Sequence, residues 1–379
     1  MKEGALKTVL VFNSGSSSLK FGLYRDDGFA LKRLLRGAAD FGSAPGSQGC
    51  TQLKITMADG QESTERFEAR EQSEFLPTVA AFLKSMQAER PDIIGHRIVH
   101  GGPHVRDHCL LDDRVMACLE AASAYAPLHN ASSLNIVRRV AGLFPDITQA
   151  ACLDTAFHAH LPEVAKILPL SRELQLEGIE RYGFHGLSCE SVISQLGDAL
   201  PQRLVIAHLG NGASITAVRE GRSVDTSMGL TPAGGILMST RSGDIDPGVL
   251  IYLLREKRYD PERLEEMLTR RSGLLGISRR SGDMRALREA AEKDADAALA
   301  IEVFSQGVRK QVAAMAAVLH GLDMLVFTGG IGENDARLRD QVCASLLWAG
   351  LSQEKVKVVP AQEEEQVARH ALELLSNQV

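Results

Sequence analysis

An apolar run, a turn of Asn, Gly and Ser, and a second apolar run occur together twice in this chain, about half a length apart. The first copy is Val9-Leu-Val-Phe-Asn-Ser-Gly-Ser-Ser-Ser-Leu-Lys-Phe-Gly-Leu-Tyr24, and the second is Leu204-Val-Ile-Ala-His-Leu-Gly-Asn-Gly-Ala-Ser-Ile-Thr-Ala-Val218. Each reads as strand, turn, strand, because β-branched and aromatic residues fit a pleated surface while Gly and Asn fit the turn. Such a turn exposes backbone N–H groups and hydroxyls with no bulky side chain in the way, which suits an oligophosphate. One copy is only a turn. Two, one in each half, predict a duplicated fold that grips a nucleotide's phosphates from both sides.

The rest of the pattern fits an α/β fold with helices covering a sheet. Strands are expected over residues 8–60, with loops at Asp26-Asp27-Gly28 and at residues 42–47. A helical stretch over 73–89 precedes the apolar strand Asp92 to His100. Helices at 113–124 and 130–142 lead to the strand Thr148 to Leu153. In the second half a helix over about 299–319 carries Ile301, Phe304, Val308, Val312 and Met315 on one face, ahead of the strand Met324 to Thr328. A last helix is expected at about 362–377.

Composition narrows the function classes. The 379 residues are 44% hydrophobic and 24% charged, ordinary for a globular protein of two domains. A net charge of −6 gives no footing for nucleic acid or an anionic membrane. No apolar run nears the ~20 residues of a membrane span. Met1-Lys-Glu-Gly-Ala-Leu-Lys7 runs straight into a strand without room for a signal peptide, so a cytoplasmic protein is expected. The six cysteines are scattered without a Cys-x-x-Cys pair and read as reduced, buried thiols.

Several segments have the makings of chemistry. Thr328-Gly-Gly-Ile-Gly-Glu-Asn334 follows a strand and opens a helix at Asp335; it is either a tight connecting turn or a place where backbone approaches a nucleotide. It is not a Gly-x-Gly-x-x-Gly fingerprint, and no Gly-x-x-x-x-Gly-Lys-[Ser/Thr] loop occurs. Ser239-Thr-Arg-Ser-Gly-Asp-Ile-Asp-Pro247 is either a solvated loop with Asx turns at Asp244 and Asp246, or a loop that aims Arg241 at a phosphoryl group. His96, His100, His104 and His108 recur every four residues, but Gly101-Gly102-Pro103 breaks any helix, so no metal stripe is expected. The same break leaves Arg97 beside a Gly-Gly turn, a natural carboxylate clamp. His129, Asp154 and His185 follow apolar strands or turns, where α/β proteins place their sites.

Taken in order, these segments resemble the acetate and propionate kinase family of the actin-like, sugar-kinase and heat-shock ATPase superfamily, nearly end to end. The resemblance rests on Asn13 to Lys20, His96 to Gly102, Ala126-Pro-Leu-His-Asn130, Asp154 to His158, Arg181-Tyr-Gly-Phe-His-Gly186, His208 to Gly212, Ser239 to Pro247 and Phe327 to Asn334. It implies a duplicated ribonuclease-H-like fold with an interdomain cleft. The first domain would span 1–154, the nucleotide-binding domain 155–365, and a helix over about 366–379 would return to the first. It also implies reversible phosphoryl transfer from ATP to acetate, with Mg²⁺ (Mn²⁺ as an accepted substitute), a homodimer, and neither nucleic acid nor membrane as partner.

Carried over by position, Asn13 and Glu363 lie at the metal end, with Glu364 or Glu365 as alternatives to Glu363. Ser16, Ser18 and Lys20 line the phosphates, and Arg97 pairs with the substrate carboxylate. Asp154 is the catalytic acidic residue; His185 and Arg241 stabilise the transition state, with His129 beside them. His208, Leu209, Gly210, Asn211 and Gly212 hold the β- and γ-phosphates. Asp283, Met284 and Arg285, with Gly330, Ile331, Gly332, Glu333 and Asn334, hold the adenosine and α-phosphate. Val99, Leu128, Phe184 and Pro232 wall the methyl pocket, a bulky set that favours acetate over propionate.

The chain departs from the family pattern at Met238-Ser-Thr-Arg241, where Gly is usual for Ser239, at Ala131 in place of proline, and at Ala361-Gln-Glu-Glu364 in place of Thr-Asn-Glu-Glu. Acetate is already a nucleophile as its anion, so direct in-line transfer is expected rather than a phosphoenzyme. The rival readings are a propionate kinase of the same family and a non-kinase actin-like ATPase module, which has no use for a carboxylate clamp.

Overall fold

The computed structural model describes residues 6–15, 18–40, 50–68, 72–85 and 90–378. Ser16 and the expected loop at 42–47 lie outside these residues, as do the side chains of Leu128 and His129. Two compact units result: Met1–Ala156 with Gln362–Val379, and Phe157–Ala361.

Among the described residues the first unit holds eight strands: β1 (Lys7–Ser14), β2 (Ser18–Asp26), β3 (Leu31–Asp40), β4 (Cys50–Met57), β5 (Glu62–Glu68), β6 (Ile93–Ile98), β7 (Cys109–Leu110) and β8 (Thr148–Leu153). They lie in the order β5-β4-β3-β2-β1-β6-β8-β7. β1 runs antiparallel to β2 and parallel to β6, which is parallel to β8. Alternation sorts the faces. Leu10, Phe12, Leu19, Phe21 and Leu23 pack with Leu76, Val79, Ile136 and Val140 from the helices Leu76–Ser85 and Pro127–Leu143. The opposite face meets the helix Glu363–Ser376, which packs on β1, β6 and β8. That helix comes so close that a Cβ on Gly95 would lie 2.7 Å from Val367 Cγ1. β1 is buried from Thr8 to Ser14, as expected of a strand covered on both sides.

The second unit holds β9 (Arg203–Leu209), β10 (Ala213–Arg219), β11 (Arg222–Thr226), β12 (Met324–Thr328) and β13 (Val356–Val358), ordered β11-β10-β9-β12-β13. Leu204, Ile206, Val218 and Val326 pack with Cys189, Val192 and Leu196 of the helix Gly186–Leu196. The helix Ala295–Val318 packs against β9, β10 and β11. It starts four residues ahead of expectation because Asp294 caps it, its Oδ1 accepting from the amides of Asp296 and Ala297. The five residues anticipated for its apolar face are all buried.

The two sheets share one plan. β3-β2-β1-β6-β8 and β11-β10-β9-β12-β13 each comprise three antiparallel strands followed by two parallel ones. The predicted α/β fold and its duplication are therefore observed.

Candidate active site

In the first unit, strand parity gathers the polar residues. Asn13 and Arg97 lie one residue before the ends of β1 and β6, and Asp154 follows β8; all three fall at the carboxyl ends of parallel strands, where α/β sheets place ligands. Arg97 Nε and Nη2 donate to both oxygens of Asp154, at 3.0, 3.1 and 2.5 Å. Its Nη1 donates to Asn13 Oδ1 at 3.0 Å. Asn13 Nδ2 in turn donates to Glu363 Oε2 at 3.2 Å and Glu364 Oε1 at 2.7 Å. Burial alone would pull the Arg97 guanidinium down, but the Asp154, Glu363 and Glu364 carboxylates outweigh it and hold it above its ordinary value. Glu365 turns away to pair with Arg369 on its own helix at 2.7 Å, so of the three candidate glutamates only Glu363 and Glu364 reach Asn13.

Asp154 thus spends both oxygens on Arg97 and acts, in this geometry, as its orienting partner. Lys20 faces Asn13 across the hairpin and is exposed, while Ser18 is partly exposed. Val99 is buried, two residues beyond Arg97.

In the second unit two imidazoles stack with ring centres 4.1 Å apart: His185 and His208. Each has Nδ1 tied to a serine hydroxyl, His185 to Ser214 at 3.0 Å and His208 to Ser188 at 2.8 Å. Both Nε2 atoms lie beside the glycine turns. A Cβ on Gly212 would lie 3.0 Å from His185 Nε2 and 3.4 Å from Arg241 Nη1; one on Gly329 would lie 3.2 Å from His208 Nε2. Arg241 Nη1 also donates to the Pro232 carbonyl at 3.0 Å. The loop bearing Arg241 is strapped by backbone bonds from Ser272 to Thr240, Leu274 to Met238 and Leu275 to Ser239, at 2.9, 2.9 and 3.0 Å. His185 itself sits at φ 60°, an unusual conformation for a residue with a Cβ and one that clusters at functional sites.

Other expected residues have a different local setting. Residues 329–334 are a short helix rather than an open turn, and a second helix begins after Asp335, whose side chain caps it at Leu338. Gly329 N–H is taken by Glu333 Oε1 at 3.1 Å, which also accepts from Ala361 N at 3.0 Å. Asn334 Nδ2 donates to the Gly330 carbonyl at 2.8 Å, Ile331 is partly buried, and Gly332 is buried. Asp283 caps the helix Met284–Ala290 and pairs with Arg285; Met284 is buried. Leu209 is buried in β9, and Asn211 accepts from Ser239 through both its carbonyl and its side chain, each at 3.3 Å. Asp246 forms the expected Asx turn with Gly248 N, whereas Asp244 reaches across to Gly235 N at 2.7 Å.

The sequence profile of the Acetokinase family matches residues 8–372. The chain belongs to that family. Among its relatives, an acetate kinase of Nitrobacter hamburgensis is 38% identical over 98% of this chain and 96% of that protein. The crystal structure of Porphyromonas gingivalis acetate kinase superposes with a TM-score of 0.85 at 33% identity, covering 97% of this chain and 100% of that one. A propionate kinase from Francisella tularensis gives 0.88 at 34% identity, with the same coverage. The family fold is thus the fold of this chain. Ser188 and Ser214, which the sequence left unread, hold the Nδ1 atoms of His208 and His185. Ser214 pairs with His208 across β9 and β10, a signal visible only once register is known.

Proposed function

We propose that this acetokinase-family protein is an acetate kinase, transferring a phosphoryl group reversibly between ATP and acetate to give acetyl phosphate and ADP by direct in-line transfer. The observation that carries the reading is the convergence of His185 Nε2 and Arg241 Nη1 on the Gly212 turn. A phosphoryl group in transfer spreads negative charge over its equatorial oxygens, and fixed donors at that point stabilise it. Acetate attacks as its anion, so no general base is needed.

Arg97 supplies the clamp. Asp154 and Asn13 occupy three of its five N–H groups, leaving two for a carboxylate in a planar two-point contact. The carboxylates of Glu363 and Glu364 would suit Mg²⁺, and Mn²⁺ as a substitute. When bound, the ion neutralises phosphate charge. The backbone of residues 210–212 and 329–330 and the imidazole of His208 hold the nucleotide's phosphates.

A homodimer is supported by the exposed apolar residues Ile245, Val249, Ile251, Tyr252 and Leu254 on and before the helix Pro247–Arg255. Light scattering at the mass of one chain would overturn it. Cys109, Cys118, Cys152, Cys189 and Cys343, whose side chains are described, form no disulfide, in keeping with the cytoplasm; among the described residues no helix is long and apolar enough to cross a membrane.

The likeness to a propionate kinase keeps a second reading in play. Acyl hydroxamate formation with acetate, propionate and butyrate decides it. Acetate is expected to lead, with propionate roughly 10- to 200-fold lower in kcat/KM, since one methylene is worth only about 1–3 kcal/mol. Val99→Ala should raise the propionate value. ATP turnover independent of any carboxylate would overturn the kinase reading altogether.

A further inference from the structure

We infer that His158, a buried histidine outside the phosphate-facing cluster, is the positioning residue that sets the conformation of His185. This rests on the reading of His185 as a transition-state stabiliser. His158 Nε2 lies 3.1 Å from the Phe184 carbonyl oxygen, and its Nδ1 lies 2.8 Å from Ser223 Oγ on β11. A carbonyl can only accept, so Nε2 carries the proton and Nδ1 accepts from the Ser223 hydroxyl. The ring is fully buried and lies flush against Gly183, where a Cβ would come 2.7 Å from His158 Cγ and Cδ2.

The consequence for His185 follows from peptide planarity. The Phe184 carbonyl and the His185 N–H share one rigid plane. Rotation of that plane about the His185 N–Cα bond is the φ angle held at 60°. A non-glycine residue there is strained and stays only if its surroundings fix it. Gly183, at φ 74°, and Tyr182 are anchored through their amides to the Gly229 carbonyl. The Phe184 carbonyl is anchored by His158. Without that bond the plane is free to relax to negative φ, carrying the imidazole away from Ser214 and from the Gly212 turn.

The test is a double-mutant cycle on kcat and KM for ATP. His185→Ala should lower kcat about 10²–10³-fold, as loss of a transition-state donor does. His158→Leu should lower kcat about 10- to 100-fold with KM for ATP little changed, because misplacement by about 1 Å has that effect. In the His185→Ala background His158→Leu should add almost nothing. His158→Gln, whose amide N–H reaches the same carbonyl, should restore most of kcat. Should His158→Leu not fold, Ser223→Ala carries the test, since it releases the tautomer and should give the same split between kcat and KM. If His185→Ala leaves kcat unchanged, the reading of His185 fails. If His185→Ala lowers kcat but His158→Leu does not, or lowers it multiplicatively in the double variant, the positioning role is overturned.

Discussion

At the scale of single residues the two arginines differ in what holds them. Arg241 Nη1 donates to the Pro232 carbonyl and the Met238 sulfur, which hold the guanidinium beside the Gly212 turn. Arg241→Ala is therefore expected to lower kcat by about 10²–10³-fold while changing KM for ATP far less. Steady-state kinetics with unchanged kcat would refute this. Arg97, by contrast, is wedged against Asp154 and Asn13 and keeps only part of its donor fork. An ammonium could satisfy Asp154 but not also offer a planar pair of donors. Arg97→Lys should thus lose most of kcat/KM for acetate, and a near-wild-type value would sink the clamp. The serines behind the imidazoles were unreadable in the sequence, because a hydroxyl declares its partner only when strands are in register. Glu364 was already an alternative to Glu363; the tertiary structure adds its bond to Asn13 Nδ2 and turns Glu365 to Arg369.

At the scale of elements, glycine positions decide how closely the pieces approach. Gly95 lies where β6 meets the helix Glu363–Ser376, with Val367 Cγ1 2.7 Å and the Val367 carbonyl 3.4 Å from where a Cβ would stand. Backbone limits the room to relax. Gly95→Val should lower stability by about 1–3 kcal/mol through overpacking. It should also push away the helix bearing Glu363 and Glu364, raising the Mg²⁺ concentration needed for half-maximal activity. Wild-type melting and Mg²⁺ dependence would disprove the proposed docking. Elements with strong periodicity emerged as anticipated, among them β8, β12 and the long helix Ala295–Val318. The misreading at residues 329–334 has a local cause. Three glycines in six residues suggest a turn, yet Glu333 caps the Gly329 amide and lets a short helix form.

For the molecule as a whole, two buried histidines tie stability to pH. His96, beside Gln149, and His158 each have a pKa lowered by burial to about 4 from 6.5, with their hydrogen bonds opposing the shift. Unfolded, both take up a proton as pH falls through 6.5; folded, they resist until about 4. Their contribution is therefore complete above 6.5 and is lost as pH drops toward 4, at up to about 1.4 kcal/mol per pH unit for each group. Urea unfolding between pH 7 and pH 5 should show the wild type losing stability, and His158→Gln losing less. A flat wild-type profile would contradict the assignment.

The sequence by itself determined the fold class, the duplication and the family. Those depend on apolar periodicity, on turn chemistry and on motifs that keep their order along the chain. Most candidate residues were named the same way, since Asn13, Arg97 and Asp154 each follow or end an apolar run. Tertiary structure decided what those residues do to one another. It set Asp154 against Arg97, chose Glu363 and Glu364 over Glu365, held both imidazoles through serine hydroxyls, and placed His158 behind the strained turn at His185. Each of these depends on strand register, helix docking or a positive φ. Such features arise from contacts between segments far apart in the chain, so no local pattern encodes them.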